Sequence, residues 1–284
     1  MKPYVSVVVP AYNEAESLPE LMERVKSALA GTGRGWELIV VDDGSTDGTR
    51  DVLRRLAAEV PELRHRSFLR NYGKSAALSV GFADARGERI ITMDADLQDD
   101  PAEFPALLAR IDEGWDLVSG WKQVRHDPPS KTVPSKLFNA VTGAVAGVRL
   151  HDFNCGLKAY RAHVAKGLPV YGELHRFLPA LAHWQGYRVT EIPVLHHARK
   201  HGRSKFGPSR FVNGFLDLLM VTFVHSGRHS PLHLFGRLGI LLGVVGGVIL
   251  SGFVYTWAIG QAVRTRPLFF IGLTQSPEVA AAAT

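Results

Sequence analysis

The stretch MDADLQDD, residues 93–100, sets four carboxylates (Asp94, Asp96, Asp99, Asp100) and the amide of Gln98 directly behind the apolar run Ile90-Ile91-Thr92. Carboxylates at i and i+2 with an amide oxygen at i+4, on a loop leaving a buried strand, can turn toward one hard cation such as Mg²⁺ or Mn²⁺. The competing explanation is a solvated turn with a helix cap. It suits Asp99 and Asp100, since Asp100 precedes Pro101 and Glu103 at the start of a helical pattern. A calcium loop of the EF-hand type does not fit, because Asp99 and Pro105 stand where that loop needs Gly and Glu. A dinucleotide fingerprint does not fit either: GTGRG at 31–35 has the wrong glycine spacing and precedes a strand. Without a glycine-rich phosphate cradle, a bound diphosphate would have to be neutralised by a cation, and Asp94, Asp96 and Gln98 are the residues to hold it.

Comparable clusters follow other apolar runs. VVDDGSTDGT places Asp42, Asp43 and Asp47 after one run, and VVPAYNE places Pro10, Tyr12 and Glu14 after another. Strands are expected at Val5–Val9, Glu37–Val41, Arg89–Thr92 and Leu117–Ser119, separated by segments with helical signals. One of these is SLPE, where Ser17 and Glu20 are spaced as a capping box; Asp47 is expected to cap the helix that follows it. Continuous apolar strands joined by helices imply an open α/β domain, a mainly parallel sheet with helices on both faces. Ligands bind such sheets at the carboxyl ends of the strands, where these acids fall.

The chain of 284 residues is 46% hydrophobic and 21% charged, which excludes disorder, and its net charge of +6 suits an acidic partner. Cys155 is the single cysteine, so an internal disulfide is excluded and a small buried thiol is expected. The opening MKPYVSVVVPAYNE holds too short an apolar run for a secretory signal, so the first domain is expected in the cytoplasm. From Leu238 to Val263 no Asp, Glu, Lys, Arg or His occurs, so a transmembrane helix is expected there. Gly239, Gly243, Gly247 and Ser251 form a small-residue stripe along it that would permit helix association, and with it a homo-oligomer. PLFFIGL begins a further apolar run near 268 that reads as an incomplete second span. The resulting division is a catalytic domain at 1–207, an amphipathic helix lying in the membrane interface at 208–230, and a transmembrane region at 231–284. The basic segment HHARKHGRSKFGPSR borders the membrane part, and no nucleic-acid-binding module is present.

The motifs VSVVVPAYNEAESL, VDDGSTDGT, RNYGKSAAL and MDADLQDDP, in this order and spacing, resemble the donor-binding half of a family-2 glycosyltransferase with the GT-A fold. The likeness covers roughly residues 4–230 and is strongest to the polyprenyl-phosphate hexose synthases, the dolichyl-phosphate mannose synthase group. It implies inverting transfer of one hexose, such as mannose or glucose, from a GDP- or UDP-sugar to a dolichyl or undecaprenyl phosphate at the cytoplasmic membrane face. Pro10, Tyr12, Glu14 and Asp42 would surround the nucleoside, and Gly73 and Lys74 would line its base and ribose side. Asp94, Asp96 and Gln98 would hold Mg²⁺ or Mn²⁺ on the donor diphosphate, with Asp96 and Asp152 in catalytic roles. Arg199 and Lys205 would close over the donor phosphates. Arg125, Lys131 and Ser204 would hold the acceptor phosphate. Two other readings share these features: transfer to a different membrane lipid, and a catalytically silent membrane scaffold, against which the intact Asp94, Asp96 and Gln98 argue.

Overall fold

A computed structural model describes residues 2–123, 129–197, 217 and 231–258. The chain divides into two compact units, Met1–Thr222 and Phe223–Thr284. In the first, the strands β1 (Val5–Ala11), β2 (Trp36–Asp42), β3 (Leu63–Ser67), β4 (Arg89–Thr92), β5 (Leu117–Lys122), β6 (Lys158–Arg161) and β7 (Val189–Val194) form one sheet in the order β3-β2-β1-β4-β6-β5-β7. All neighbours are parallel except β6, which runs antiparallel to both β4 and β5. The fold is GT-A-like: a mostly parallel sheet with helices on both faces. The expected strands lie within β1, β2, β4 and β5. The antiparallel β6 was not expected, and it brings Lys158 beside Thr92 of β4.

β1 and β2 are β-branched runs buried on both faces, as central strands of a parallel sheet must be. Side chains alternate between two cores. Val7, Val9 and Val40 meet Leu21, Met22 and Val25 of α1 (Leu18–Ala30) and Leu107 and Ile111 of α4 (Phe104–Asp112). Val8, Ile39 and Ile90 meet Leu78 and Phe82 of α3 (Lys74–Asp84) and Phe177 on the far side. Further helices of this unit are α2 (Thr49–Glu59), α5 (Pro129–Ala146), α6 (Ala162–Gly167) and α7 (Leu178–Trp184). At the amino ends of the strands, buried Glu37 accepts from Ser6 Oγ (2.7 Å), the Arg86 N–H (2.7 Å) and Arg64 Nη1 (3.0 Å). This acid fastens the floor of the sheet.

The expected capping box at Ser17 is not formed. Ser17 precedes α1 but its hydroxyl donates to Glu14 O (3.1 Å) and Glu14 Oε2 (2.8 Å), because its helical backbone angles turn it back toward the preceding loop. Asp100 does cap, accepting from the Ala102 N–H (3.0 Å), though at a 3₁₀ turn, Pro101–Glu103, that leads into α4.

In the second unit the helix Pro231–Ala258 contains a stretch, Gly239–Trp257, long and apolar enough to cross a membrane. A methyl group added at Gly239, Gly243 or Gly247 would meet nothing within 4 Å among the described residues. The expected interfacial helix at 208–230 lies outside the described residues apart from Asp217, which is helical and pairs with Arg176 (3.2 Å).

α3 is held unusually close to the sheet. A Cβ on Gly81 would lie 2.2 Å from Val8 Cγ1, and Val8 is fully buried and stiff at χ1. Gly81→Ala is therefore expected to overpack this contact at about 1–3 kcal/mol and to lower the apparent Tm by roughly 2–10 °C. Thermal unfolding of the detergent-solubilised chain measures it; an unchanged Tm would mean that α3 lies farther from β1.

Candidate active site

β1, β2 and β4 are adjacent and parallel, so the loops after them share one rim. After β1 the chain turns at Asn13, whose φ of 56° is a left-handed value that Asn tolerates. The Asn13 N–H donates to Ser45 Oγ (2.8 Å), Asn13 Oδ1 accepts from the Thr46 N–H (2.8 Å), and the Glu14 N–H donates to Thr49 Oγ1 (2.9 Å). Asp47 tethers the start of α2, its Oδ1 accepting from the Thr49 N–H (2.9 Å). Pro10, Tyr12 and Glu14 are half-buried on this rim. Asp42 is fully buried; one oxygen accepts from the Ser45 N–H (2.9 Å) and the other lies 3.8 Å from Arg50 Nε. Asp43, of the same acid cluster, accepts from the N–H groups of Tyr72 (2.7 Å) and Gly73 (2.9 Å) and so fixes the RNYGK loop that delivers Lys74.

From residue 93 to 100 burial alternates: Met93, Ala95, Leu97 and Asp99 are buried, while Asp94, Asp96, Gln98 and Asp100 are half-buried. Asp94, Asp96 and Gln98 thus share the open side of one loop. Leu97, with φ 61°, is a non-glycine residue in the left-handed region, a costly conformation held by complete burial of its side chain. Asp96 accepts from the Gln98 N–H (3.3 Å), and Gln98 Nε2 faces His197 O (3.3 Å) and His196 Nε2 (3.5 Å). Asp99 corrects the expectation of a solvated turn. It is 1% exposed, accepts from the Asp94 N–H (3.3 Å) and pairs with Lys122 of β5 (3.2 Å).

Asp94 pairs with Lys74 and packs against Gly156, where an added Cβ would lie 2.7 Å from the carboxylate. Thr92 Oγ1 holds that turn by donating to Gly156 O (2.8 Å). Lys158, buried in β6, donates to Cys155 O. Burial alone would favour a neutral Asp94, but Lys74, Lys122 and Lys158 outweigh it and hold the carboxyl well below the usual range. Burial would likewise favour a neutral Lys122; Asp99 reverses that and holds it above its ordinary value. Burial lowers Lys158, with Lys74 adding to the effect. Burial pushes the Cys155 thiol up to about 12, so it is inert, as its isolation in the sequence implies. Asp152 is buried and accepts from the Asn154 N–H (3.0 Å), shaping its own turn while its charge supports Lys122.

The donor chemistry fits a hard cation. Among the described residues no three His, Cys, Asp or Glu side chains form a complete cage. Magnesium-type sites commonly use one or two carboxylates and take their remaining oxygens from water and substrate phosphate, which Asp94 and Asp96 on an open loop allow. Of the other expected site residues, Arg125, Arg199, Ser204 and Lys205 lie outside the described residues, as does the side chain of Lys131 in α5.

Residues 6–168 match the model of the family described as Glycosyl transferase family 2. The chain is 40% identical over 278 residues to dodecaprenyl-phosphate galacturonate synthase of Rhizobium johnstonii, covering 95% of this chain and 81% of that protein. This chain belongs to glycosyl transferase family 2. A second family relative, undecaprenyl-phosphate 4-deoxy-4-formamido-L-arabinose transferase of Shewanella sediminis, is 39% identical over 86% of this chain and 77% of its own length. Among solved structures, a mannosyltransferase from Pyrobaculum calidifontis in complex with GDP-Man and Mn²⁺ superposes with a TM-score of 0.58 at 21% identity, covering 96% of this chain and 80% of that one. Glucosyl-3-phosphoglycerate synthase from Mycobacterium tuberculosis, in complex with Mn²⁺, UDP and phosphoglyceric acid, gives 0.59 at 20% identity, covering 76% and 78%. At such identities these two structures speak for the fold.

Sequence reasoning missed Asp99, Lys122 and Lys158, and also His175, which closes the site behind α3. The His175 N–H donates to Ser75 Oγ (3.1 Å) and Ser75 Oγ lies 3.0 Å from His175 Nδ1. The hydroxyl proton is then free to donate to Nδ1, which leaves the ring proton on Nε2. Burial, with Lys74 and Arg176 nearby, holds His175 well below its usual pKa, so it is neutral in the folded family member. Unfolded, it takes up a proton below about pH 6.5; the unfolded state then binds more protons, and stability falls as pH falls. Unfolding midpoints from pH 7.5 to 5 should show this loss, at most about 1.4 kcal/mol per pH unit, and His175→Asn should reduce its slope. Equal slopes would mean that His175 is protonated in the fold.

Proposed function

We propose that this chain transfers one sugar, with inversion, from a nucleotide diphosphate sugar to a polyprenyl phosphate at a membrane. Its relatives are named for transfer to dodecaprenyl and undecaprenyl phosphate, and the apolar helix Pro231–Ala258 suits a lipid acceptor. The observation that carries the reading is the rim at the end of β4, where Asp94 and Asp96 are half-buried on one loop and the charges of three lysines act on Asp94. Such a rim can bring two phosphate-bearing molecules together. The catalytic domain would face the cytoplasm. The donor would be a GDP- or UDP-linked hexose, with galacturonate and formamido-arabinose, named for the relatives, as further candidates.

Asp94 and Asp96, with Gln98 beside them, would hold Mg²⁺ or Mn²⁺, which when bound supplies Lewis-acid neutralisation of the leaving diphosphate. The rim of Pro10, Tyr12, Glu14 and Asp42 would seat the nucleoside. Arg199 and Lys205 would cover the donor phosphates, and Arg125, Lys131 and Ser204 would hold the acceptor phosphate in line with the anomeric carbon. An acceptor phosphate oxygen then forms the new bond to that carbon as the bond to the diphosphate breaks from the opposite face, its electron pair leaving with the diphosphate. The second phosphate pKa is about 6, so an unprotonated oxygen is available near neutrality and a general base is not required. Asp152, buried and adding negative charge that favours a protonated Lys122, would act by orienting groups at the site and not by proton removal. Position and fixed charge supply the rate.

The test is incubation of the purified chain with a panel of nucleotide sugars, undecaprenyl phosphate and Mg²⁺ or Mn²⁺. The expected product is a glycolipid cleaved by mild acid, formed with release of nucleoside diphosphate. Asp96→Asn should lower turnover by about two orders of magnitude with the fold intact. Transfer to diacylglycerol in place of the phosphate lipid, or full activity in Asp96→Asn, would contradict the reading.

A further inference from the structure

Two lysine–aspartate pairs stand on this rim, and they differ in access. Lys122 and Asp99 are sealed, with side chains 15% and 1% exposed. Lys74 and Asp94 are each about one-third exposed, at 31% and 33%. Lys158 is buried and engaged by Cys155 O, so neither it nor Lys122 has room to leave Asp94's surroundings. The backbone that carries Lys74 is fixed on both sides: Gly73, at φ 92°, is held by Asp43, and Ser75 is held by His175. The Lys74 side chain is therefore the mobile cation of the three. As the first residue of α3 it places a cation at the positive end of the helix dipole, where it does not serve helix stability.

Resting on the assignment of metal to Asp94, we infer that Lys74 is an exchangeable counter-ion. In the donor-free protein it occupies Asp94, keeping the carboxylate charged and oriented. When the metal and donor bind, the ammonium moves from Asp94 to a diphosphate oxygen. No bond is made or broken and no proton is transferred; one cation replaces another at the carboxylate. The device couples the two ligands. Metal alone must compete with Lys74, whereas metal arriving with a diphosphate offers the displaced ammonium a new anion, so both bind more tightly together than apart.

The experiment is Mn²⁺ binding by electron paramagnetic resonance of free Mn²⁺, on the full chain in detergent, with and without nucleoside diphosphate. Wild type, Lys74→Met, Lys74→Gln and Asp94→Asn are compared, with near-ultraviolet circular dichroism confirming the fold. Removing the Lys74 charge should tighten Mn²⁺ binding about tenfold without nucleotide. It should also weaken nucleoside diphosphate binding severalfold at saturating Mn²⁺. Unchanged or weaker Mn²⁺ binding in both folded Lys74 variants, with binding lost in Asp94→Asn, would overturn the counter-ion role alone. Undiminished Mn²⁺ binding in Asp94→Asn would overturn the metal assignment, and this inference with it.

Discussion

A carboxylate that is to receive a cation at the end of a buried strand must stay charged while apolar surroundings press it to take up a proton. Asp94, the proposed metal ligand, is kept charged by three elements: Lys74 from α3, Lys122 from β5 and Lys158 from β6. The architecture can be followed outward from that requirement. The antiparallel β6 brings Gly156 and Lys158 alongside β4, and Gly156 lets the backbone lie against the carboxylate where a methyl group would collide. Asp99 neutralises Lys122 inside the protein and accepts from the Asp94 N–H, so one buried acid orients both the lysine and the loop. Asp43 and His175 fix the start of α3, and Gly81 lets that helix lie close to β1.

Around Asp94 the cations are lysines, whereas Asp42 on the same rim meets Arg50. Away from the rim, arginine makes the fastening pairs among the described residues: Arg64 and Arg86 on Glu37, Arg66 on Asp84, Arg89 on Asp112 and Arg161 on Asp116. A guanidinium is a rigid fork suited to a fixed partner, whereas an ammonium is a compact charge on a flexible stem that can change partners. Of the three lysines near Asp94 this freedom belongs to Lys74, whose side chain is about one-third exposed, while Lys122 and Lys158 are fixed like the arginines.

Much of this was legible in the sequence because it depends on local order. The β-branched runs gave β1, β2 and β4, and the acids after them had to fall on one rim once the strands were parallel. What escaped depends on tertiary partners. Asp94, Asp96, Asp99 and Asp100 look alike in sequence, and the inward turn of Asp99 follows a left-handed Leu97 that no apolar pattern announces. Lys122 and Lys158 lie at strand positions where a lysine ordinarily marks a solvent face. Among their carboxylate neighbours, Asp94 and Asp99 come from the loop after β4 and Asp152 from the segment before β6, so their burial shows only when these elements are placed together. His175 sits on a short 3₁₀ turn with no signal of its own.

The claim at the centre is that the acids behind β4 receive a divalent cation in the field of these lysines. A crystal structure of the full chain with Mn²⁺ and a nucleoside diphosphate, phased for the anomalous signal of manganese, measures this directly. The expected result is a manganese peak within coordination distance of an oxygen of Asp94 or Asp96 and of the diphosphate, with Lys74 moved from Asp94 to a phosphate oxygen. A diphosphate bound on the same rim with Asp94 still paired to Lys74 and manganese absent from both carboxylates would contradict it.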